Sequence, residues 1–320
     1  MAADFSSIHF DLHTLTDGVY AAVHKAGGAA YSNAGIIDLG DQTVVFDCFD
    51  NPLAAEDLKK AAEKMTGCQV QTVIISHEHD DHWNGNQVFQ PPTEIIAHRQ
   101  VMDVMPELIK EMDQLKQNPA EYQQYLKDLE SELDRTTDER LRAGLEKGIN
   151  RALYAMQVLQ QMEPRSPDKS FEDRVVMVGS KRTAVLEYRG ACHSSSDSIL
   201  LLPGEKLAFI ADLGFFNEQP FMGTCNLPAW REQIENLKQL EGYTFVPGHG
   251  GIGAEKELDQ MLAYFDTLER LVKQVLEKGA SQVKPEDIQL PQPIDSWLMG
   301  GMKRLEVNLN YMVDYVKGNM

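Results

Sequence analysis

Three of the chain's nine histidines fall within six residues, in the string His77-Glu78-His79-Asp80-Asp81-His82. No packing requirement asks for imidazole and carboxylate at that density. Both are donors to first-row metal ions, and the pattern H-x-H-x-D-H is compact enough to serve two ions side by side. Further donors lie downstream. Four apolar runs each lead into a metal-binding residue type: VIIS into His77, Ala184–Arg189 through Gly190-Ala191-Cys192 into His193, Lys206–Ala211 into Asp212, and Tyr243–Pro247 into His249. Ligands that follow strand ends can converge on one edge of a sheet, where α/β folds build their sites. The set is His77, His79, Asp81, His82, His193, Asp212 and His249, five imidazoles and two carboxylates, the count for two metals.

The elements that must position these residues can be read in outline. Val19–His24, Ala34–Leu39 and Thr43–Phe46 read as strands, with Gly40-Asp41 turning the chain between the last two. Ala54–Met65 has helical spacing, and Val70–Ser76 is a β-branched run fit for a buried strand that delivers His77. Residues 100–165 change character and are rich in Glu, Lys, Gln, Leu and Met, all helix formers. Asn118-Pro119-Ala120-Glu121 offers an N-cap, a proline at the first helical position and Glu at N3. Thr136-Thr137-Asp138-Glu139 fits a capping box. Two or three helices are therefore expected as an insertion, serving as a solvated hairpin, a lid over the site or a homodimer contact. Strands resume from Arg174 to Pro247. From about Glu255 the chain is helical again, interrupted by Pro285–Pro293. The expectation is one α/β (α+β) domain over 1–320, with a helical insertion at 100–165 and a helical tail at 255–320.

Composition narrows the partners. A formal net charge of −19 leaves no surplus of Lys and Arg for counterion release, which argues against nucleic acid. Cys48, Cys68, Cys192 and Cys225 are far apart and make no C-x-x-C spacing, so a reducing cytoplasm suits them better than a disulfide framework. The opening MAADFSSIHFDLH lacks the cationic and apolar regions of a signal peptide. No apolar run approaches the ~20 residues that span a bilayer. A soluble cytoplasmic protein acting on a small molecule, away from membranes, is expected.

Taken in order, these pieces resemble the metallo-β-lactamase superfamily: Asp47 after the first hairpins, H-x-H-x-D-H at 77–82, the His193 loop, Asp212 in FIADLGF and His249 in VPGHG. The resemblance covers about residues 15–255 apart from the insertion. It implies a four-layer αββα sandwich with a dinuclear site between the sheets. Carried over by position, His77, His79 and His193 would bind one zinc ion and Asp81, His82 and His249 a second, with Asp212 and a water or hydroxide bridging. Iron or manganese are the alternative metals. Asp47 would orient a ligand. Asp81 and Asp212 would be the catalytic carboxylates, Asp81 orienting the attacking hydroxide or relaying its proton.

The implied reaction is hydrolysis of an ester, lactone, thioester or related bond by the metal-bridging hydroxide. Lactamases of the family generally lack a bridging Asp, so Asp212 tilts the reading away from β-lactam cleavage, which stays as a weak or promiscuous alternative. Two further alternatives are a mononuclear iron enzyme like the persulfide dioxygenases and a glyoxalase II-like enzyme, whose substrate Lys303 and Arg304 would grip; otherwise these two are solvated charges. The family's G-H-T-x-G becomes Ala191-Cys192-His193-Ser194-Ser195-Ser196-Asp197 here, which alters the loop around the ligand. The loop Phe215–Asn226, with Trp83 and Tyr31-Ser32-Asn33, is expected to line a partly apolar pocket. His9, His13, His24 and His98 fall outside the motifs and read as surface or strand residues, and Cys192 as a buried inert thiol.

Overall fold

Short β-branched runs separated by turn residues build two sheets in the computed structural model, which describes residues 5–297 and 301–319. The first four residues of the N-terminal MAADFSSIHFDLH segment lie outside the described residues, as does the Glu121 side chain. The first sheet has seven strands in chain order: β1 (Phe10–Thr16), β2 (Val19–His24), β3 (Ala34–Asp38), β4 (Thr43–Phe46), β5 (Val70–Ile75), β6 (Glu94–His98) and β7 (Lys169–Phe171). Its first four strands form an antiparallel meander, and β4 to β7 run parallel. The second sheet holds β8 (Arg174–Val178), β9 (Thr183–Gly190), β10 (Asp197–Leu202), β11 (Leu207–Phe216) and β12 (Thr244–Gly250), in the spatial order β12-β11-β10-β9-β8.

The sheets stack face to face through Ile37, Val44, Phe46 and Ile74 on one side and Leu186, Leu200, Phe209 and Val246 on the other. The outer face of the first sheet is covered by α1 (Pro52–Thr66), which buries Ala54, Ala55, Leu58, Ala61 and Ala62. Asn51 caps this helix by accepting from Leu53 N at 3.0 Å, and Gly67 closes it in the left-handed conformation at φ 74°. The outer face of the second sheet packs against α5 (Leu227–Lys238), α6 (Glu255–Glu277) and α7 (Gly301–Lys317). The layering is therefore αββα, with apolar side chains on both faces of each sheet as a four-layer sandwich requires.

Three helices stand between β6 and β7: α2 (Arg99–Gln117), α3 (Ala120–Arg135) and α4 (Glu139–Val158). Their joints differ in detail from the capping signals. Asn118 closes α2, its N–H reaching Gln114 O, so Pro119 takes the capping position of α3 and Ala120 is its first residue. Thr136 closes α3 and turns its hydroxyl back to Glu132 O at 2.7 Å rather than starting α4. A hydroxyl can bond backward to the carbonyl four residues earlier as readily as it caps forward. No helix among the described residues is long and apolar enough to cross a membrane.

Candidate metal centre

β5 stops at Ile75, and the chain leaves the sheet through Ser76 and His77 into two short 3-10 turns, Asp80–His82 and Asn84–Val88. This folds the H-x-H-x-D-H string onto the sheet edge. Trp83 is buried and donates its indole N–H to Glu78 O at 2.8 Å, so it holds this turn rather than lining a pocket. His193 follows the end of β9, also as expected. Its loop is fastened by Asp197, which accepts from Cys192 N and Ser194 N at 3.0 Å each and from Ser194 Oγ at 2.8 Å. That carboxylate does the work of the glycine turn the loop lacks. Glu78 Oε1 accepts from Ser195 N at 2.8 Å, tying the loop to the first string. Burial pushes the Cys192 thiol up to about 12, in keeping with an inert residue.

Asp212 and His249 correct the strand-end expectation, because β11 and β12 run through them rather than stopping before. Pairing of the two strands is irregular here, shifting register between Phe209 and Ala211 and again before Phe215. Ala211 takes φ 44°, a strained value that persists only where surrounding structure enforces it. Gly248 explains part of that enforcement: a Cβ there would overlap Asp212 Oδ1. Asn33 pins the same segment from the first sheet, its amide donating to Pro247 O and Gly250 O at 2.9 Å each and its backbone N–H to Gly248 O at 2.7 Å.

All seven residues meet. Asp212 lies in the middle, with Oδ2 at 3.1 Å from His193 Nε2, 3.5 Å from His249 Nε2 and 3.8 Å from His77 Nε2, and Oδ1 at 3.1 Å from His82 Nε2. His79 Nδ1 is 2.9 Å from His193 Nε2, and Asp81 Oδ2 is 3.1 Å from His249 Nε2. Two groups result, His77–His79–His193–Asp212 and Asp81–His82–His249, each with its donor atoms within 4.8 Å of one another.

Whether a metal suits this arrangement can be tested on the buried polar atoms. His77 Nε2, His82 Nε2 and Asp212 Oδ1 are buried and make no hydrogen bond, a costly state unless something binds there. The opposite nitrogens are held. His77 Nδ1 is 2.9 Å from Ser76 Oγ, and His82 Nδ1 is 2.8 Å from Asp47 Oδ2. Bare inner atoms with anchored outer ones are what metal-ligating imidazoles show. The all-nitrogen-and-oxygen donor set suits zinc, iron or manganese. Asp47, at φ 57°, also accepts from Ser76 N and Ser76 Oγ at 2.8 Å, so it orients His82 and stands outside the donor set.

Inside the cluster, charge and burial pull in opposite directions. Burial alone would raise the carboxyls of Asp81 and Asp212, yet His82 and His249 beside both, with His193 beside Asp212, hold them well below the usual range. Burial works against charge on His82, and Asp212, Asp81 and Asp47 outweigh it, raising that imidazole. Burial and then neighbouring His193 lower His79 to about 4, leaving it neutral and ready to donate.

A family model described as the metallo-beta-lactamase superfamily matches residues 27–249. The chain belongs to that superfamily. Solved relatives agree on the fold. A metallo-beta-lactamase from Pontibacter korlensis superposes with a TM-score of 0.53 at 15% identity, covering 79% of this chain and 97% of the other. The FIM-1 metallo-beta-lactamase from Pseudomonas aeruginosa, in its mono-zinc form, gives 0.54 at 13% identity over 79% and 92%. DIM-1 metallo-beta-lactamase exposed to ceftazidime gives 0.53 at 14% identity over 78% and 94%. Identities this low establish a shared architecture only. No curated protein matches the sequence.

Among superfamily features read from sequence, the pocket needed most revision. The cavity over the centre measures about 210 Å³, and Tyr31, Phe215, Phe221, Arg151 and Arg304 form its walls. Ser32, Asn33 and Trp83 do not line it. Arg304 is not a solvated charge: its guanidinium contacts Gln219 O at 3.3 Å and Tyr31 Oη at 3.4 Å and sits 5.8 Å from the Phe221 ring centre. Lys303 is exposed and lies over the Tyr125 ring. His24, a strand residue as expected, ends β2 beside Glu218 at 3.4 Å and close to His249. Arg151, Lys147 and Glu218 gave no sequence signal, since each looks like an ordinary surface charge.

Proposed function

We propose that the protein is a metal-dependent hydrolase of an ester, lactone, thioester or related bond. In this reading His77, His79 and His193 hold one divalent ion, Asp81, His82 and His249 a second, and Asp212 stands between them. Zinc is the proposed metal. The observation that carries the reading is the Asp212 carboxylate, faced by one imidazole from each group, His77 and His82, whose Nε2 atoms are buried and make no hydrogen bond. Bound there, such ions acidify a water and polarise the scissile carbonyl.

The chain's own groups supply the rest. Asp81 faces the cavity, fixed by Ser32 Oγ at its backbone carbonyl (2.5 Å), and is placed to orient a water and accept its proton. Phe215 and Phe221 keep bulk water from the reacting atoms. Arg151 is neutralised by Asp50 and Asp80, whereas Arg304 has no carboxylate partner among the described residues. A guanidinium in the cavity wall with no carboxylate partner favours a substrate that carries an acidic group, and it acts at contact range against the repulsion from a chain of net charge −19. All four cysteines are free, which suits a reducing compartment such as the cytoplasm.

The test is a panel of lactones, thioesters, aryl esters and β-lactams, in acidic and neutral versions, on protein of measured metal content. Turnover should vanish on chelation, return with zinc and favour the acidic members. Full activity in stripped protein overturns the reading.

A further inference from the structure

We propose that α4 of the helical insertion sets the affinity of the second ion far more than that of the first, through Lys147 and Arg151; this rests on the two-ion reading above. The two residues are four apart on α4 and share one face of the helix. Arg151 Nε donates to Asp50 Oδ2 at 2.9 Å, Arg151 Nη2 reaches both oxygens of Asp80 at 3.0 Å, and the guanidinium lies 4.2 Å from the Tyr31 ring centre. Lys147 Nζ is 3.3 Å from both oxygens of Glu218, 3.4 Å from His24 Nε2 and 5.1 Å from the same Tyr31 ring.

Apart from Asp50, the partners in these contacts lie one step from Asp81 or His249. Asp80 is the chain neighbour of Asp81. Tyr31 meets His249 edge-on at 5.7 Å, and Ser32 beside it bonds Asp81 O. The donor atoms of His24, Glu218 and His249 lie within 4.8 Å of one another, so Glu218 and His24 could draw His249 or a metal ion to themselves. The Lys147 ammonium sits among them as a fixed cation and keeps that alternative closed. Arg151 does the corresponding service for Asp50 and Asp80, whose charges would otherwise bear on Asp81. Among the described residues, no α4 side chain makes such contacts with His77 or His193, and His79 is approached only through Asp80, which it shares with Asp81 as a chain neighbour. Those three lean on Ser76, Phe221, Trp230 and the Asp197-fastened loop.

Groups that orient metal ligands typically change affinity about 10- to 100-fold when removed. Metal-stripped wild type, Arg151→Met and Lys147→Met are therefore titrated with zinc by calorimetry, and bound metal is counted after gel filtration. Wild type should take up two ions in two steps. Each variant should still take up the first ion, which also shows that it folds, and bind the second about 10- to 100-fold more weakly; Lys147→Met should leave the first step unchanged, and Arg151→Met should weaken it less than the second. Arg142→Gln, on the same helix but bonded to Leu133 O and Thr136 O within the insertion, should leave both steps unchanged. Variants whose two steps are unaltered, weakened equally or tightened at the second ion overturn the proposal. Wild type that binds fewer than two ions overturns instead the two-ion reading beneath it.

Discussion

The two candidate ligand groups meet at Asp212 but are built by different physics. His77, His79 and His193 rest against packed matter: Trp230 lies 5.0 Å from the His193 ring centre and Phe221 5.9 Å from that of His79, with neutral Ser76 behind His77. Around Asp81, His82 and His249, where His249 also stacks on Phe215 at 4.7 Å, the distinguishing neighbours are charges: Asp47, the Asp80–Arg151 pair and the Glu218–Lys147–His24 cluster. Close packing fixes a side chain through many small contacts and is indifferent to salt. A charge network fixes it through a few strong, long-reaching terms that respond to whatever enters or leaves. One half is thus a rigid seat, and the other can be adjusted from the insertion.

Removing the shared member should have the largest effect. Asp212→Ala is expected to bring hydrolysis to background and to lower metal content in both halves, read by turnover and metal analysis; a wild-type rate would dissolve the comparison. Next comes the packed half. Trp230 is fully buried and donates to Leu213 O at 3.2 Å, so Trp230→Ala should cost about 3–5 kcal/mol of stability, visible as a lowered thermal midpoint. The smallest shift belongs to the charged half. Asp47→Asn keeps the shape but loses the charge facing His82 Nδ1, so the second zinc should bind about 10- to 100-fold more weakly while the midpoint of metal-free protein stays close to wild type. If Trp230→Ala and Asp47→Asn gave the same signature, the two halves would not differ in kind.

The same contrast explains what could be read in the sequence. Candidate metal donors announce themselves because His and Asp at tight spacing, or next to apolar runs, have few other reasons to be there, so the seven residues that the structure brings together could all be picked out. The sandwich followed from strand runs and from the resemblance those donors anchor. Lys147 and Arg151 stayed hidden because a Lys and an Arg four apart are commonplace on a solvated helix, and their acidic partners lie far off in a chain full of carboxylates. Arg304 was hidden for the same reason. Trp83 looked like a pocket wall because nothing local shows that its N–H is needed by Glu78 O. Strand propensity likewise could not tell that β11 and β12 continue past Asp212 and His249, since that depends on the glycine contact and the Asn33 tie between distant segments.

That tie has a temporal side. Asn33 grips Pro247 and Gly250 across 214 and 217 positions of chain, so the segment bearing His249 reaches its place only when the second sheet has docked on the first. During synthesis the 77–82 string emerges first, with four of the seven donors and neither Asp212 nor His249 to close the ring. In the two-ion reading, ion capture would therefore be a late event that seals a nearly finished fold, and an ion held at both halves would record that docking is complete.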